Sequence, residues 1–457
     1  MLRCDRLARL AIGPTAAARL HAPSCEALPS VESLSSREAL EAARPAAGAA
    51  GADHEPRTTN HEPRTTCFSA RTPVFGVALR VGRGRPVRPF KLERYFAEYE
   101  FKAERVLSAS DCETLSMAEL LGMAAGASLE LWRELRLGYT ETAGHPLLRA
   151  EVAGLYETIA AGDVMIAAPE EAIFIAMQTL LAPGDHVVVV SPAYQSLYEV
   201  ARHIGCGVTR WELEPERDGW RLEVGRLGEL VEDRTRMLVI NFPHNPTGYT
   251  VSRPELESIV EFARARGLYL FSDEMYRLLE YDSSARLPAV CDLYEKGISL
   301  AGLSKAFGLP GLRVGWLATR ERTLLGRCLA FKDYTTICAG APSEILGIIA
   351  LQSREPILLR NCEIVGGNLA VAARFFAERA GLFAWFAPKA GPVAFPRWLG
   401  EEPVESFCRD VLDGVGVMVV PGSLFERPGN HFRIGLGRRD FPQALGRLAE
   451  RLRDRRV

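Results

Sequence analysis

The chain has 457 residues, 47% of them hydrophobic, enough to build two or more domains around sizeable cores. Its 55 basic and 57 acidic residues leave a formal net charge of −2, which gives no global reason to expect nucleic acid or an anionic membrane as partner and favours a small molecule. No stretch approaches the roughly 18 uninterrupted apolar residues of a membrane-spanning helix. The ten cysteines contain neither a CxxC pair nor a His/Cys cluster, so neither a metal site nor a disulfide framework is expected, and free thiols in the reducing cytoplasm fit best.

Residues 1–88 are rich in Ala, Arg, Pro and Thr, lack helical or strand periodicity, and carry HEPRTT twice, at 54–59 and 61–66. This composition reads as a disordered extension. Its basic, nearly acid-free opening, MLRCDRLARLAIGPTAAARL, shares the character of organellar transit peptides, which keeps import into an organelle as the alternative to a cytoplasmic location. The plainer reading is a dispensable extension or a start site placed too far upstream. From PFKLERYFAEYEF (89–101) onward, apolar and aromatic residues are spaced as in a packed helix or arm.

Between about 135 and 320, short apolar runs alternate with amphipathic stretches: HVVVVS (186–191), MLVINF (237–242), YLFSDE (269–274), SLAGLS (299–304) and VGWLAT (314–319). Runs apolar at consecutive positions suit strands covered on both faces, so the fold class is α/β, a mostly parallel sheet flanked by helices. PELESIVEFARARG (254–267) predicts a helix started by Pro and ended by Gly. After about 345 the pattern changes to a long helix and a mixed region ending in HFRIGLG (431–437). The expected organisation is an arm and part of a small domain at 89–134, a large domain at 135–345, and the rest of a smaller α+β domain at 346–457. In such sheets ligands collect at the carboxyl ends of the strands.

The chemistry-bearing residues lie at those ends. In SLAGLSKAFGLPGLRVGWLA (299–318) a buried-looking strand ends in Ser304 and Lys305, and Arg313 follows a Gly/Pro-rich turn. Lysine is scarce: only Lys91, Lys102, Lys296, Lys305, Lys332 and Lys389 occur. A desolvated lysine near another cation, which Arg313 is placed to supply, has a lowered pKa and becomes nucleophilic enough for Schiff-base chemistry. Taken alone, such a lysine is more often snorkelling or ion-paired. NFPHNPTG (241–248) and FSDEMYRLLEY (271–281) close two other strands and present Asn245, Asp273 and Tyr276. Singly, these are a turn, a helix cap and a core tyrosine. Together they suit one pyridine ring: a carboxylate keeps the ring nitrogen protonated, and two donors hold its phenolic oxygen.

The ordered set NPTG, SDEMY, LSKAFGLPGLRVGW and FRIG resembles the class I/II aminotransferases of the fold-type I pyridoxal-phosphate superfamily, over residues 90–457. The resemblance implies pyridoxal 5′-phosphate as cofactor, held by Lys305 as an internal aldimine, with Lys305 moving protons between substrate Cα and cofactor C4′. It implies that Asp273 pairs with the pyridine nitrogen, that Asn245 and Tyr276 hold O3′, and that Ser304 and Arg313 bind the phosphate. Arg433 in HFRIG would clamp the substrate α-carboxylate with a bidentate fork. Tyr194 in SPAYQSLY matches the aromatic that stacks on the ring, although a tyrosine there is also common in cores. Tyr139 in LGYTETAGHPLLR matches a residue reaching the phosphate in the partner subunit of a homodimer with shared sites, and Gly144 falls in a substrate-side turn. A tyrosine at such a position is also found as ordinary core or interface.

Two departures stand out. Gly302 occupies a position where the family carries a Ser or Thr hydroxyl, and the phosphate-cradling turn reads AAPEEAIF (167–174), with Pro169 removing one N–H donor. The helix beginning near Glu170 still offers its dipole and the N–H of Glu170. The expected reaction is transfer of an amino group from an amino acid to a 2-oxo acid; a lyase or cyclase using the same residues is the alternative, since the cofactor supplies the electron sink in each. A regulatory protein on the same fold would need a DNA-binding module, and none is visible in the first 88 residues. Residues 330–344 carry no second arginine of the kind that selects dicarboxylates, so the lean is towards neutral, polar or aromatic amino acids.

Overall fold

The computed structural model of the chain describes residues 86–217 and 219–453. The extension expected over 1–88 therefore lies, up to residue 85, outside the described residues. The elements that position the site are, in chain order, helix α1 (Lys91–Tyr99), strand β1 (Val164–Ala167), helix α2 (Pro169–Leu180), strand β2 (His186–Ser191), helix α3 (Ser196–Ile204), strands β3 (Gly207–Glu216), β4 (Gly219–Leu222) and β5 (Thr235–Asn241), helix α4 (Arg253–Arg266), strands β6 (Tyr269–Asp273), β7 (Gly297–Gly302) and β8 (Gly315–Ala318), and helix α5 (Arg354–Ala377). Three short strands follow: β9 (Val393–Ala394), β10 (Val420–Pro421) and β11 (Phe432–Gly435).

An eight-stranded sheet runs in the order β1-β8-β7-β6-β5-β2-β3-β4. Its centre, from β7 through β6, β5 and β2 to β3, is parallel, as the consecutive apolar runs predict. The pairings β1-β8, β8-β7 and β3-β4 are antiparallel, so the sheet is mixed rather than uniform. Alternate side chains of each central strand enter different cores: Val187 and Val189 pack with Ile173 and Leu197, while Val188 and Val190 pack with Leu256 and Ile259. That period-2 division is why Val187 to Val190 are apolar at every position.

Helix α4 behaves as its sequence predicts, with a Ser252–Glu255 capping box, Pro254 in the first turn and Gly267 left-handed at the C-cap. Strand β7 ends at Gly302, two residues before Ser304, so Leu303 to Lys305 form the turn beyond the strand instead of its last residues. Helix α5 ties distant segments together through two buried amides: Asn361 donates to the Ala306 carbonyl at 2.8 Å, and Asn368 donates to the carbonyls of Leu436 at 2.8 Å and Arg438 at 2.7 Å. Strand β11 is central to a three-stranded sheet, β9-β11-β10, and the Gly435 N–H donates to the Leu107 carbonyl at 2.7 Å. A Cβ at Gly435 would collide with the Ala109 backbone, so only glycine lets these segments meet. No helix among the described residues is long and apolar enough to cross a membrane.

Candidate active site

Asn241 and Asp273 are register partners at the last positions of β5 and β6, so parallel pairing alone sets their side chains side by side at the carboxyl edge of the sheet. The turn after β7 brings Lys305 to the same edge. A pocket of about 530 Å³ opens there, lined among others by Tyr194, Asn245, Asp273, Tyr276, Ser304, Lys305, Arg313 and Arg433. Eight residues singled out from the sequence thus share one cavity, and Glu170 joins them.

The Asp273 carboxyl is almost completely buried and accepts the Met275 N–H at 3.1 Å. Burial pushes it up to about 6 from its ordinary value near 3.8, with the Met275 N–H and Lys305 opposing the rise. It has no ion-pair partner among the described residues, so a cation arriving in the pocket would relieve it. Lys305 Nζ donates to Ser110 Oγ at 2.8 Å, and its pKa is lowered chiefly by burial. Arg433, not Arg313, is the cation that lowers it further, while Asp111, Glu93 and Asp273 act the other way. This corrects the expectation from sequence: Arg313 sits in the left-handed region at φ 55° with its side chain exposed and Nη1 donating to the Pro310 carbonyl at 3.0 Å.

Arg433 is 1% exposed on β11. Nη1 donates to Asn245 Oδ1 at 3.1 Å and Nη2 to the Ser108 carbonyl at 3.1 Å, while Nε is buried without a hydrogen-bond partner. Phe96 and Phe425 lie 5.7 and 5.3 Å from its guanidinium carbon. No carboxylate among the described residues forms a salt bridge with it. A fully buried guanidinium without a counter-ion is costly unless a ligand carboxylate supplies one.

Tyr194 turns its ring against Phe90 at 4.8 Å and donates its hydroxyl to Glu93 Oε1 at 2.9 Å. The hydroxyls of Tyr276 and Ser304 are buried without hydrogen-bond partners. Glu170, in the first turn of α2, accepts Ser196 Oγ at 3.2 Å, and burial pushes its carboxyl up to about 7.

Two expected residues lie elsewhere. Gly144 does not line the pocket; at φ 103° it packs on Ile166 of β1, where any Cβ would overlap that side chain. The turn it occupies is pressed against the sheet, which is a steric requirement for glycine. Tyr139 is 90% exposed and touches no part of its own chain's pocket. Lys332, in the segment without arginine, is buried and donates to the Thr142 and Ile337 carbonyls, both at 3.0 Å.

Sequence reasoning missed the pocket's other wall. Leu92, Glu93, Phe96 and Glu100 come from α1 and its C-cap, Ser110 from the loop that follows, and Asn241 from the end of β5. Asn241 Nδ2 donates to the Asp273 carbonyl at 2.7 Å, and its Oδ1 accepts the Asn245 N–H at 2.8 Å, which holds the NPTG turn against β6. An Asn ending a strand four residues before NPTG was the available sign.

A lysine with a lowered pKa, a buried carboxylate lacking a cation and orphaned hydroxyls on Tyr276 and Ser304 together fit pyridoxal phosphate, in which the carboxylate and the hydroxyls would find the partners they lack. Comparison with known proteins agrees. The family described as "Aminotransferase class I and II" matches residues 106–452. Capreomycidine synthase from Streptomyces vinaceus is 31% identical over 370 residues, covering 79% of this chain and 93% of that one. A PLP-dependent aminotransferase from Streptococcus suis has a similar structure, with TM-score 0.76 and 29% identity over 81% of this chain and 99% of that chain. The PLP-dependent cyclase OrfR gives TM-score 0.75 and 28% identity, covering 82% of this chain and 100% of that chain.

Proposed function

The chain belongs to the class I and II aminotransferases, which depend on pyridoxal 5′-phosphate, and from that premise we propose that it moves the amino group of an amino acid to a 2-oxo acid, with Lys305 holding the cofactor. When bound, the cofactor supplies the electron sink that lets the substrate Cα proton leave. The observation carrying the reading is the buried Arg433 guanidinium without a counter-ion, facing the same pocket as Lys305. Its remaining N–H donors, the unpartnered Nε–H among them, suit a substrate α-carboxylate, which would place Cα near Lys305 Nζ. Lys305, kept less protonated by burial, is the base that takes the Cα proton.

In this reading Asp273 faces the ring nitrogen, Asn245 and Tyr276 the phenolic oxygen, Tyr194 the ring face, and Ser304, Arg313 and the first turn of α2 at Glu170 the phosphate. Residues 135–345 form the cofactor-binding domain, and 89–134 with 346–457 the smaller one. The exposure of Tyr139 supports a homodimer in which it reaches the phosphate bound by a second copy. Sedimentation of the purified protein at micromolar concentration tests that assembly: a dimer is expected, and a monomer contradicts it.

A second reading, a cyclase or lyase on the same residues, is supported by the similarity to capreomycidine synthase and to OrfR. Incubation of the cofactor-loaded protein with an amino donor and a 2-oxo acid separates the two. Stoichiometric appearance of a new amino acid supports transamination, whereas consumption of the donor without the acceptor supports the alternative.

A further inference from the structure

Four carboxylates and three cations line the pocket: Glu93, Glu100, Glu170 and Asp273 against Lys305, Arg313 and Arg433. The aminotransferase reading uses Lys305 and Asp273 on the cofactor, Arg313 and Glu170 at the phosphate, and Arg433 on the α-carboxylate. Two acids, Glu93 and Glu100, are left over. They stand seven residues apart on α1 and its C-cap, two helical turns, and therefore on one face. Phe96 lies on the same face between them, against Arg433. The substrate side chain, extending from an α-carboxylate on Arg433, has this wall as a neighbour.

We propose that the substrate is an amino acid with a cationic side chain, an ammonium or a guanidinium, received by Glu93 and Glu100. The proposal rests on the aminotransferase reading for the position of the α-carboxylate. Glu93 gives only Oε1 to Tyr194, and a carboxylate has about four acceptor directions. Glu100 makes no side-chain hydrogen bond or ion pair with any described residue, unlike neighbouring Asp111, which is held by Arg438 at 2.8 and 3.0 Å. The blander alternative, two solvated surface carboxylates, sits poorly with both lining the pocket that holds Lys305 and Asp273. A dicarboxylate side chain would meet like charge there, whereas a cation would be attracted and desolvated between them. This replaces the lean towards neutral side chains drawn from the missing arginine.

The test is spectral titration of the cofactor-loaded protein, without 2-oxo acid, using side-chain pairs alike in shape: arginine against citrulline, and lysine against norleucine. At least one cationic member is expected to bind about tenfold or more tightly than its neutral partner, and the combined Glu93→Gln, Glu100→Gln variant to bring that ratio near one while Tyr194 keeps its acceptor. Equal or weaker binding of both cationic members, or a ratio unmoved in the variant, overturns the proposal and leaves the aminotransferase reading intact. Failure of the protein to form any cofactor absorbance brings down that reading and this one together.

Discussion

Arg433 Nη1 donates to Asn245 Oδ1 at 3.1 Å, joining residues 188 positions apart in the chain. This contact ties the NPTG turn at the end of β5 to β11 and sets the guanidinium at the pocket wall. Replacing Arg433 with Lys keeps the charge but loses the planar fork. The expected result is amino acid binding weaker by about 100-fold, about 3 kcal/mol, with cofactor absorbance unchanged in a spectral titration. Unaltered amino acid affinity would move the α-carboxylate elsewhere.

Asp273→Asn removes the carboxylate while keeping its shape. Cofactor retention is expected, with turnover lower by two orders of magnitude or more, the scale of losing one preorganised electrostatic partner. Stability follows too. Burial raises this carboxyl from about 3.8 to about 6, so its contribution is fully present below pH 3.8 and is lost as pH rises through 6. Thermal melts of the cofactor-free protein from pH 4 to 7 are expected to show this loss in the wild type and not in Asp273→Asn.

Glu170 predicts a pH dependence of cofactor affinity. Its carboxyl is pushed up to about 7 by burial, with Glu93 and Asp273 adding to the rise and Ser196 and Arg313 opposing it. A phosphate arriving beside it favours the protonated form, so affinity is expected to be full below pH 7 and to fall above it by up to about tenfold per unit. Equilibrium dialysis of cofactor from pH 6 to 9 checks this, with Glu170→Gln giving the flatter profile.

Restoring the hydroxyl missing at position 302 is expected to harm the protein. A Cβ there would stand 2.9 Å from Gly315 Cα, 3.0 Å from the Val314 carbonyl and 3.3 Å from Pro169 Cγ. The nearest two obstacles are backbone, which cannot rotate away. Gly302→Ser should cost about 1–3 kcal/mol by overpacking, read as a lower melting temperature, without tighter cofactor binding. Gly302 and Gly315 allow β7 and β8 to pair under Pro169, which accounts physically for this departure from the family pattern.

The strand ends were legible because their chemistry is local. Asn245, Asp273, Tyr276 and Lys305 each sit within a few residues of an apolar run whose period announces a strand. At Gly144 the sequence could not decide, because a glycine required for a steric reason, here the approach to Ile166, looks the same as one that clears space for a ligand. Glu93, Glu100 and Ser110 were missed because their place in the pocket depends on long-range packing: the Leu107 carbonyl meets Gly435, and Asp111 meets Arg438. No periodicity within α1 discloses which of its faces covers a cleft made by residues two hundred positions away. The cation acting on Lys305 was misassigned for the same reason, since Arg313 is close in sequence and Arg433 is close in space.

The most direct test of the central claim is the visible spectrum of the cofactor-loaded protein before and after an amino donor, and again after a 2-oxo acid, with Lys305→Ala alongside. The account predicts a visible band in the wild type that the donor removes and the 2-oxo acid restores, and no such cycle in Lys305→Ala. A protein that takes up no cofactor, or a cycle that persists without Lys305, would contradict it.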